Sequence, residues 1–201
     1  LVQAGHQLGY RLAVLDPDPR SPAAQLADFS VAAGLTERNV VRQFARAVPL
    51  LTYETETLPP RILSDVEGIT AVAPGASVLR TTSDRLEQRA LLSRLKIPVP
   101  AFRPLRDTTD LAGTPDIFPA HLKAASQGFD GRGQLVLKSR AGLRNGWNRL
   151  GRVPAVLERQ IDLSGEFSII VARSQQGETR VYEPIRNVHR TVGTMLSGEI
   201  A

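Results

Sequence analysis

The chain has 201 residues, of which 42% are hydrophobic and 22% charged, with a formal net charge of +5 and no cysteine. This composition excludes a peptide, a disordered chain and a fibrous repeat, and the missing cysteine excludes disulfides and thiolate chemistry. The positive charges are scattered and aromatic residues make up only 5% of the chain, which argues against a nucleic-acid binder. No apolar run approaches the roughly 20 residues of a membrane helix. We therefore expect a globular protein of the cytoplasm without nucleic-acid or membrane partners.

The first 80 residues alternate short β-rich runs with helical patterns. The pattern predicts strands at 11–15, 29–32 and 48–53 and helices at 37–47 and 60–67. Such alternation indicates a parallel sheet. Residues 1–9 resemble the end of an amphipathic helix, and in a parallel sheet a strand normally comes before such a helix. We therefore expect that a strand belonging to this domain precedes Leu1.

Acidic residues follow the first predicted strand, in the segment Asp16-Pro17-Asp18-Pro19. The prolines end the strand and leave the acidic groups at its carboxyl end, which is the edge where open α/β sheets bind ligands. A polar turn explains the same residues equally well, so both interpretations stay open.

A helix start near residue 84 indicates a domain boundary. Asp84, with Glu87 three residues later, resembles a capping box, and the helical pattern continues to Ile97-Pro98. Beyond it, strands are predicted at 118–123, 134–138, 155–160, 166–173 and 179–185. We predict an α/β domain at 1–82 and a mainly antiparallel α+β domain at 83–201.

A glycine-rich loop lies between two of these strands, at Gln127-Gly128-Phe129-Asp130-Gly131-Arg132-Gly133. Glycine permits the close backbone approach that a bound phosphate requires. The loop lacks both the Walker A lysine and the helix of a dinucleotide fingerprint. A flexible hairpin turn accounts for its spacing as well as a phosphate site does.

Four side chains near this loop are candidates for ligand contacts. Lys123 ends an apolar strand, so it either reaches solvent or meets an anion. Glu158 and Glu166 could receive a ribose or help to position magnesium, and both could equally be surface acids. His189 lies beside arginine and suits hydrogen bonding to a ligand, although an ordinary surface histidine fits too. His6 and His121 have no comparable setting.

Seven short segments carry a resemblance, in order along the chain: LGYRLAVLDP at 8–17, TYETE at 52–56, DRL at 84–86, IPVP at 97–100, FDGRGQ at 129–134, SGEFS at 164–168 and NVH at 187–189. Together they resemble the 5-(carboxyamino)imidazole ribonucleotide synthetase family of ATP-grasp ligases. This resemblance implies an ATP-grasp architecture, in which a parallel pre-ATP-grasp domain precedes the ATP-grasp domain.

The resemblance also implies which residues bind ligands. Lys123 and the glycine loop would hold the ATP phosphates, Glu158 and Ile161 would meet the adenine edge, and Glu166 would take the ribose hydroxyls. The implied ATP-binding set is Arg85, Lys123, Gln127, Gly128, Phe129, Asp130, Gly131, Arg132, Gly133, Gln134, Glu158, Arg159, Gln160, Ile161, Glu166 and His189. The implied substrate-binding set is Tyr53, Glu54 and Glu56.

In the reaction that the resemblance implies, ATP activates bicarbonate as carboxyphosphate, and the amine of aminoimidazole ribonucleotide takes the carboxyl group. The expected cofactors are ATP and Mg²⁺, and a homodimer is one expected assembly. The family's N-terminal strand, its glycine-rich substrate loop and its magnesium ligands are expected outside this chain, whose activity by itself stays open. Two alternatives are another carboxylate-amine ATP-grasp ligase and a non-catalytic ATP-binding fragment.

Overall fold

A computed structural model describes residues 1–126, 133–192 and 195–200, with residues 189–192 and 195–200 described for their backbone. The chain divides into two compact units, Leu1–Gln160 and Ile161–Ala201. None of the helices in the described ranges combines the length and apolar character that a transmembrane segment requires.

The beginning of the first unit alternates helices and strands, as predicted. Its helices are α1 (Val2–Gln7), α2 (Pro22–Leu26), α3 (Arg38–Arg46), α4 (Pro60–Ser64) and α5 (Ala76–Thr82). Its strands are β1 (Ala13–Asp16), β2 (Phe29–Ala32), β3 (Leu50–Leu51) and β4 (Ala71–Val72). β1 pairs with β2 and β3 with β4, both in parallel, which confirms the parallel α/β class of this region. The strand predicted at 48–53 shortens to β3, because its ladder with β4 contains two residue pairs.

The remainder of the first unit is built on an antiparallel sheet. It contains the helices α6 (Arg85–Arg94) and α7 (Leu143–Arg149) and 3₁₀ turns at Thr108–Leu111 and Arg140–Gly142. Its strands are β5 (Phe102–Leu105), β6 (Ala120–Ala124), β7 (Gln134–Leu137) and β8 (Ala155–Arg159). Neighbouring strands pair in the order β5-β8-β6-β7. The mainly antiparallel character predicted after the boundary is confirmed.

The two faces of this sheet differ in chemistry. Ala120, Leu122 and Ala124 alternate along β6 as buried residues, and Leu122 belongs to a core cluster that includes Leu157 of β8 and Trp147 of α7. Since successive side chains of a strand point to opposite faces, His121 and Lys123 lie on the other face. We call this other face, with Glu158 of β8, the polar face.

The second unit consists of strands. They are β9 (Glu166–Ser168), β10 (Val171–Arg173), β11 (Thr179–Val181), β12 (Ile185–Val192) and β13 (Met195–Ile200). β12 pairs with both β9 and β13, and β10 pairs with β11, all antiparallel. The single strand predicted at 166–173 is therefore wrong, because its two halves pair with different partners. The strand predicted at 179–185 divides near Pro184, which cannot donate a ladder hydrogen bond.

Candidate functional site

The amino end of α6 places Arg85 against the end of β6. The Asp84 carboxylate caps the helix by accepting hydrogen bonds from the backbone N–H groups of Leu86 at 2.7 Å and Glu87 at 3.4 Å. The Arg85 backbone N–H donates to the Ala125 carbonyl, and its guanidinium Nη1 donates to the Ala124 carbonyl, both at 2.8 Å. The cap predicted from sequence therefore fixes the helix end that carries a predicted ATP-binding residue.

On the polar face, Lys123 and Glu158 form an ion pair. In the β6-β8 register, Lys123 lies opposite Val156, and Glu158 lies two residues further along β8. Diagonal neighbours of this kind are within reach of a long side chain. Lys123 Nζ donates to Glu158 Oε2 at 2.7 Å. The sequence left two fates open for Lys123, solvent or an anion, and in this structure it meets a carboxylate.

A second cation joins this pair from α6. Arg89 Nε donates to the other carboxylate oxygen, Glu158 Oε1, at 2.5 Å. The Glu158 side chain is only 4% exposed, whereas Arg89 is 18% and Lys123 26% exposed. We call Arg89, Glu158 and Lys123 the charged triad. Glu158 is therefore a buried, doubly paired carboxylate, which corrects the interpretation of this residue as a surface acid.

The charged triad keeps Glu158 ionised. Burial alone raises the pKa of the carboxyl group, because a charge is costly in a low-dielectric environment. The hydrogen bonds and charges of Arg89 and Lys123 outweigh that effect and hold the pKa of Glu158 below its ordinary value. A carboxylate with two cations leaves the triad one positive charge in excess, which suits an anionic ligand.

Most of the glycine loop falls outside the described residues. Six of the ATP-binding residues that the resemblance implies lie outside the described residues for this reason: Gln127, Gly128, Phe129, Asp130, Gly131 and Arg132. The loop's last residue, Gly133, has φ of 70°, a conformation that favours glycine, and its carbonyl accepts the Ala124 N–H at 2.8 Å. Gln134 begins β7 directly opposite Lys123. The ends of the loop therefore stand next to the charged triad.

β8 ends one residue after Glu158, at Arg159, which lies opposite Ala120 of β6. The backbone N–H groups of Arg159 and Gln160 donate to the carbonyls of Ala101 and Pro119, both at 2.8 Å. Arg159 Nη2 donates to the Asp116 carbonyl at 3.4 Å. Ile161 is 49% exposed and begins the second unit. An adenine contact by Ile161 stays a prediction.

In the second unit, Glu166 belongs to a small polar cluster. Glu166 Oε1 accepts a hydrogen bond from Asn187 Nδ2 at 2.9 Å, and Asn187 also bonds with Ser168 Oγ. The register of β9 and β12 explains the contact, because Glu166 lies directly opposite Asn187. His189 lies two residues further along β12, opposite Gly198, and its side chain is outside the described residues.

Two of the three implied substrate residues, Tyr53 and Glu54, line a separate cavity in the first unit. The cavity has a volume of about 460 Å³ and is lined by residues of β1, α3 and α4 together with Thr52, Tyr53, Glu54 and Thr55. Burial raises the pKa of the half-buried Tyr53. Glu56 is exposed and does not line the cavity. Substrate binding by these residues stays a prediction.

In the structure Asp16 lies both beside this cavity and in a polar turn, the two interpretations that its sequence left open. It lines this cavity at the carboxyl end of β1. Its Oδ1 also accepts the Asp18 N–H at 2.8 Å, and Asp18 Oδ1 accepts the Arg20 N–H at 2.9 Å. The polar turn is therefore formed, and it coexists with a position next to the cavity.

Sequence reasoning missed three residues of these clusters: Arg89, His121 and Asn187. A signal for Arg89 existed, because it follows Arg85 by four residues and positions four apart share one face of a helix. His121 lies opposite Glu158 and Val136 in the sheet register, so its setting is closer to the triad than we expected. Asn187 belongs to the NVH segment at 187–189 that carries the resemblance, although that segment was used only for His189.

The described residues do not contain a group of three or more His, Asp or Glu that could hold a metal ion. The polar face therefore offers a divalent cation no ready ligand set of its own.

Two family models match the chain. Residues 90–197 match the ATP-grasp domain family, and residues 1–83 match the ribonucleotide synthetase preATP-grasp domain. The chain is 35% identical over 191 residues to the N5-carboxyaminoimidazole ribonucleotide synthase of Pseudomonas aeruginosa. The alignment covers 94% of this chain and 53% of that relative.

Solved structures show the same similarity. The ADP complex of an N5-carboxyaminoimidazole ribonucleotide synthetase superposes with a TM-score of 0.86 at 30% identity, covering 97% of this chain and 52% of that one. The ATP complex of the Aspergillus clavatus carboxyaminoimidazole ribonucleotide synthase gives a TM-score of 0.82 at 26% identity, covering 94% of this chain and 50% of that one. The chain thus spans about half the length of these relatives.

Proposed function

Because the chain belongs to the ATP-grasp family, we propose that the natural protein containing it carboxylates 5-aminoimidazole ribonucleotide with bicarbonate, using ATP, in purine biosynthesis. The observation that supports this best is the continuity of the similarity, since a curated synthase aligns over 94% of the chain. Both the preATP-grasp and the ATP-grasp regions are included in that alignment. A nucleotide-binding module attached to an unrelated domain would not give one continuous match.

The polar face supports ATP binding at this site. It presents Lys123 and the excess positive charge of the triad beside both ends of the glycine loop. Cationic side chains are the usual partners of phosphate oxygens. We assign the phosphates to Lys123 and the loop from Gln127 to Gln134. The adenosine end belongs to Glu158, Arg159, Gln160, Ile161 and Glu166, and Arg85 and His189 complete the nucleotide site.

The reaction divides into two transfers. A bicarbonate oxygen attacks the γ-phosphorus of ATP, the bond from that phosphorus to ADP breaks, and carboxyphosphate forms. The exocyclic amine of aminoimidazole ribonucleotide then attacks the carboxyl carbon, and phosphate leaves as the amine loses a proton. Tyr53, Glu54 and Glu56 are assigned to the ribonucleotide, and Mg²⁺ is assigned to ligands outside this chain.

The proposal extends to the protein as a whole. The domain boundary falls between residues 82 and 83, and the protein works in the cytoplasm as a homodimer on small molecules and not on nucleic acid. Light scattering behind a sizing column tests the assembly, since a monomeric mass would contradict the homodimer. The predicted protein–ligand contacts do not depend on that result.

The decisive test measures ADP release by the purified natural protein that contains this chain. We expect release to require aminoimidazole ribonucleotide and bicarbonate together, with little ADP when either is omitted. Release that depends on formate or on a different amine would instead identify another carboxylate-amine ligase. ATP binding without turnover in any mixture would identify a non-catalytic nucleotide-binding protein.

A further inference from the structure

The charged triad pairs one carboxylate with two cations. Each oxygen of Glu158 has its own partner, Arg89 Nε at 2.5 Å and Lys123 Nζ at 2.7 Å. With both partners in place, the Glu158 side chain is only 4% exposed. A buried carboxylate that loses all its cations must take up a proton or destabilise the fold.

The two cations are not equivalent in position. Lys123 is the more exposed, and it lies on β6 directly opposite Gln134, where the glycine loop re-enters the sheet. Arg89 belongs to α6, one helical turn after Arg85, and it is 18% exposed. Lys123 is therefore the cation that an arriving phosphate meets, and Arg89 is the one that remains with Glu158.

We propose that Arg89 is a positioning residue of the nucleotide site, the counter-ion that keeps Glu158 paired while Lys123 turns to the nucleotide phosphates. This inference rests on the proposed function, in which Lys123 binds ATP. Arg89 makes no contact with the nucleotide in this proposal. It acts through Glu158. Because Arg89 stays paired with that carboxylate, Glu158 remains charged when Lys123 leaves and does not take up a proton.

Loss of the Arg89 charge has a defined consequence. With glutamine at position 89, Lys123 is the remaining cationic partner of Glu158, and a phosphate must compete for it. When Lys123 leaves, the buried Glu158 takes up a proton, so binding becomes tighter as the pH falls. Among the described residues, the charged and titratable groups facing Glu158 are Arg89 on α6 and Lys123 and His121 on β6.

The test measures ATP binding calorimetrically in the natural protein that contains this chain. Titrations at pH 7 in buffers of different ionisation enthalpy give the number of protons taken up. Relative to wild type, we expect Arg89→Gln to bind about tenfold more weakly and to take up additional protons. Arg89→Lys retains the charge and should return both quantities towards wild type. Arg89→Gln binding without additional proton uptake would overturn the proposal, whatever its affinity.

A second comparison separates action through Glu158 from direct contact. In a Glu158→Gln background the carboxylate is gone, so adding Arg89→Gln should cause no additional proton uptake and a smaller loss of ATP affinity than in the wild-type background, since only the net charge near the phosphates changes. A loss as large as in the wild-type background would mean that Arg89 acts on the nucleotide without Glu158, which contradicts the proposal. This comparison also decides the matter if the single Arg89→Gln variant does not fold, because the double variant has no unpaired buried carboxylate. Wild-type protein that fails to bind ATP at all would overturn the proposed function, a result distinct from each of these.

Discussion

At the scale of single residues, Lys123 is the side chain on which ATP affinity should depend most. Its amine lies on the polar face and forms an ion pair with Glu158. We expect Lys123→Met to raise the Kd for ATP about tenfold to a hundredfold, because a charge-assisted hydrogen bond contributes roughly 1.5–3 kcal/mol. Calorimetric titration of the natural protein containing this chain measures the change.

Lys138 offers a matched control for this substitution. It is an exposed lysine that follows the far end of β7, so Lys138→Met removes the same charge at a distance from the loop ends. We expect its ATP affinity to equal that of wild type. Equal affinities for wild type and Lys123→Met would remove Lys123 from the site.

Glu158 should make the stability of the fold depend on pH. Its pKa is lower in the folded state than its ordinary value, so its stabilisation is complete above the unfolded pKa of about 4.3. The stabilisation disappears as the pH falls through the folded pKa. We expect Glu158→Gln to lower the free energy of unfolding by roughly 1.5–3 kcal/mol at pH 7, with a smaller difference from wild type at acid pH.

Urea unfolding of wild type and variant at several pH values between 7 and 3 measures this difference. Glu87→Gln, at an exposed position on α6, is the control and should change the stability by less than about 0.5 kcal/mol. A Glu158→Gln difference that stays constant over the whole pH range would contradict the assignment of a depressed pKa.

At the scale of elements, α6 connects its own stability to the polar face. The Asp84 cap holds the end of the helix whose Arg85 bonds to the carbonyl groups at the end of β6. We expect Asp84→Ala to lower the free energy of unfolding by about 1 kcal/mol, the usual effect of losing a side-chain cap. Because Arg85 and Arg89 both lie on α6, the ATP affinity should fall as well.

Asp84→Asn is the matched control, since asparagine retains an oxygen that accepts the Leu86 N–H. Thermal unfolding and calorimetric ATP titration of the two variants provide the comparison. If Asp84→Ala and Asp84→Asn were equally stable, the cap would not be what fixes this helix end.

At the scale of the whole molecule, ATP should stabilise the fold by mass action. The polar face exists only when β6 and β8 are paired and α6 packs beside them, so the unfolded chain has no equivalent site. ATP at about one hundred times its Kd should add about 2.7 kcal/mol to the free energy of unfolding. Thermal unfolding with and without ATP measures the shift, and Lys123→Met at the same ATP concentration should keep only about 0.4–1.4 kcal/mol of it. An unchanged wild-type melting temperature in saturating ATP would contradict nucleotide binding to the folded state.

The sequence alone determined the features that depend on local patterns. Alternating short strands and helices indicated the parallel first region, and Phe29–Ala32 forms the predicted strand. Asp84 followed by Glu87 indicated the start of α6, and the strand predicted at 118–123 corresponds to β6. Family motifs then indicated the ATP-grasp class. These features were predictable because capping and side-chain alternation act between residues only a few positions apart.

Only the tertiary structure decided which distant residues meet. Arg89 and Glu158 are 69 positions apart and Lys123 and Glu158 are 35 apart, and no local pattern connects them. The strand predicted at 166–173 divides because β9 and β10 pair with different partners. The sequence does not distinguish Glu158 from the other acidic residues, whereas the fold buries it and pairs its carboxylate with Arg89 and Lys123. Strand register and helix packing produce these contacts, and both are properties of the assembled sheet and helices rather than of any short stretch of sequence.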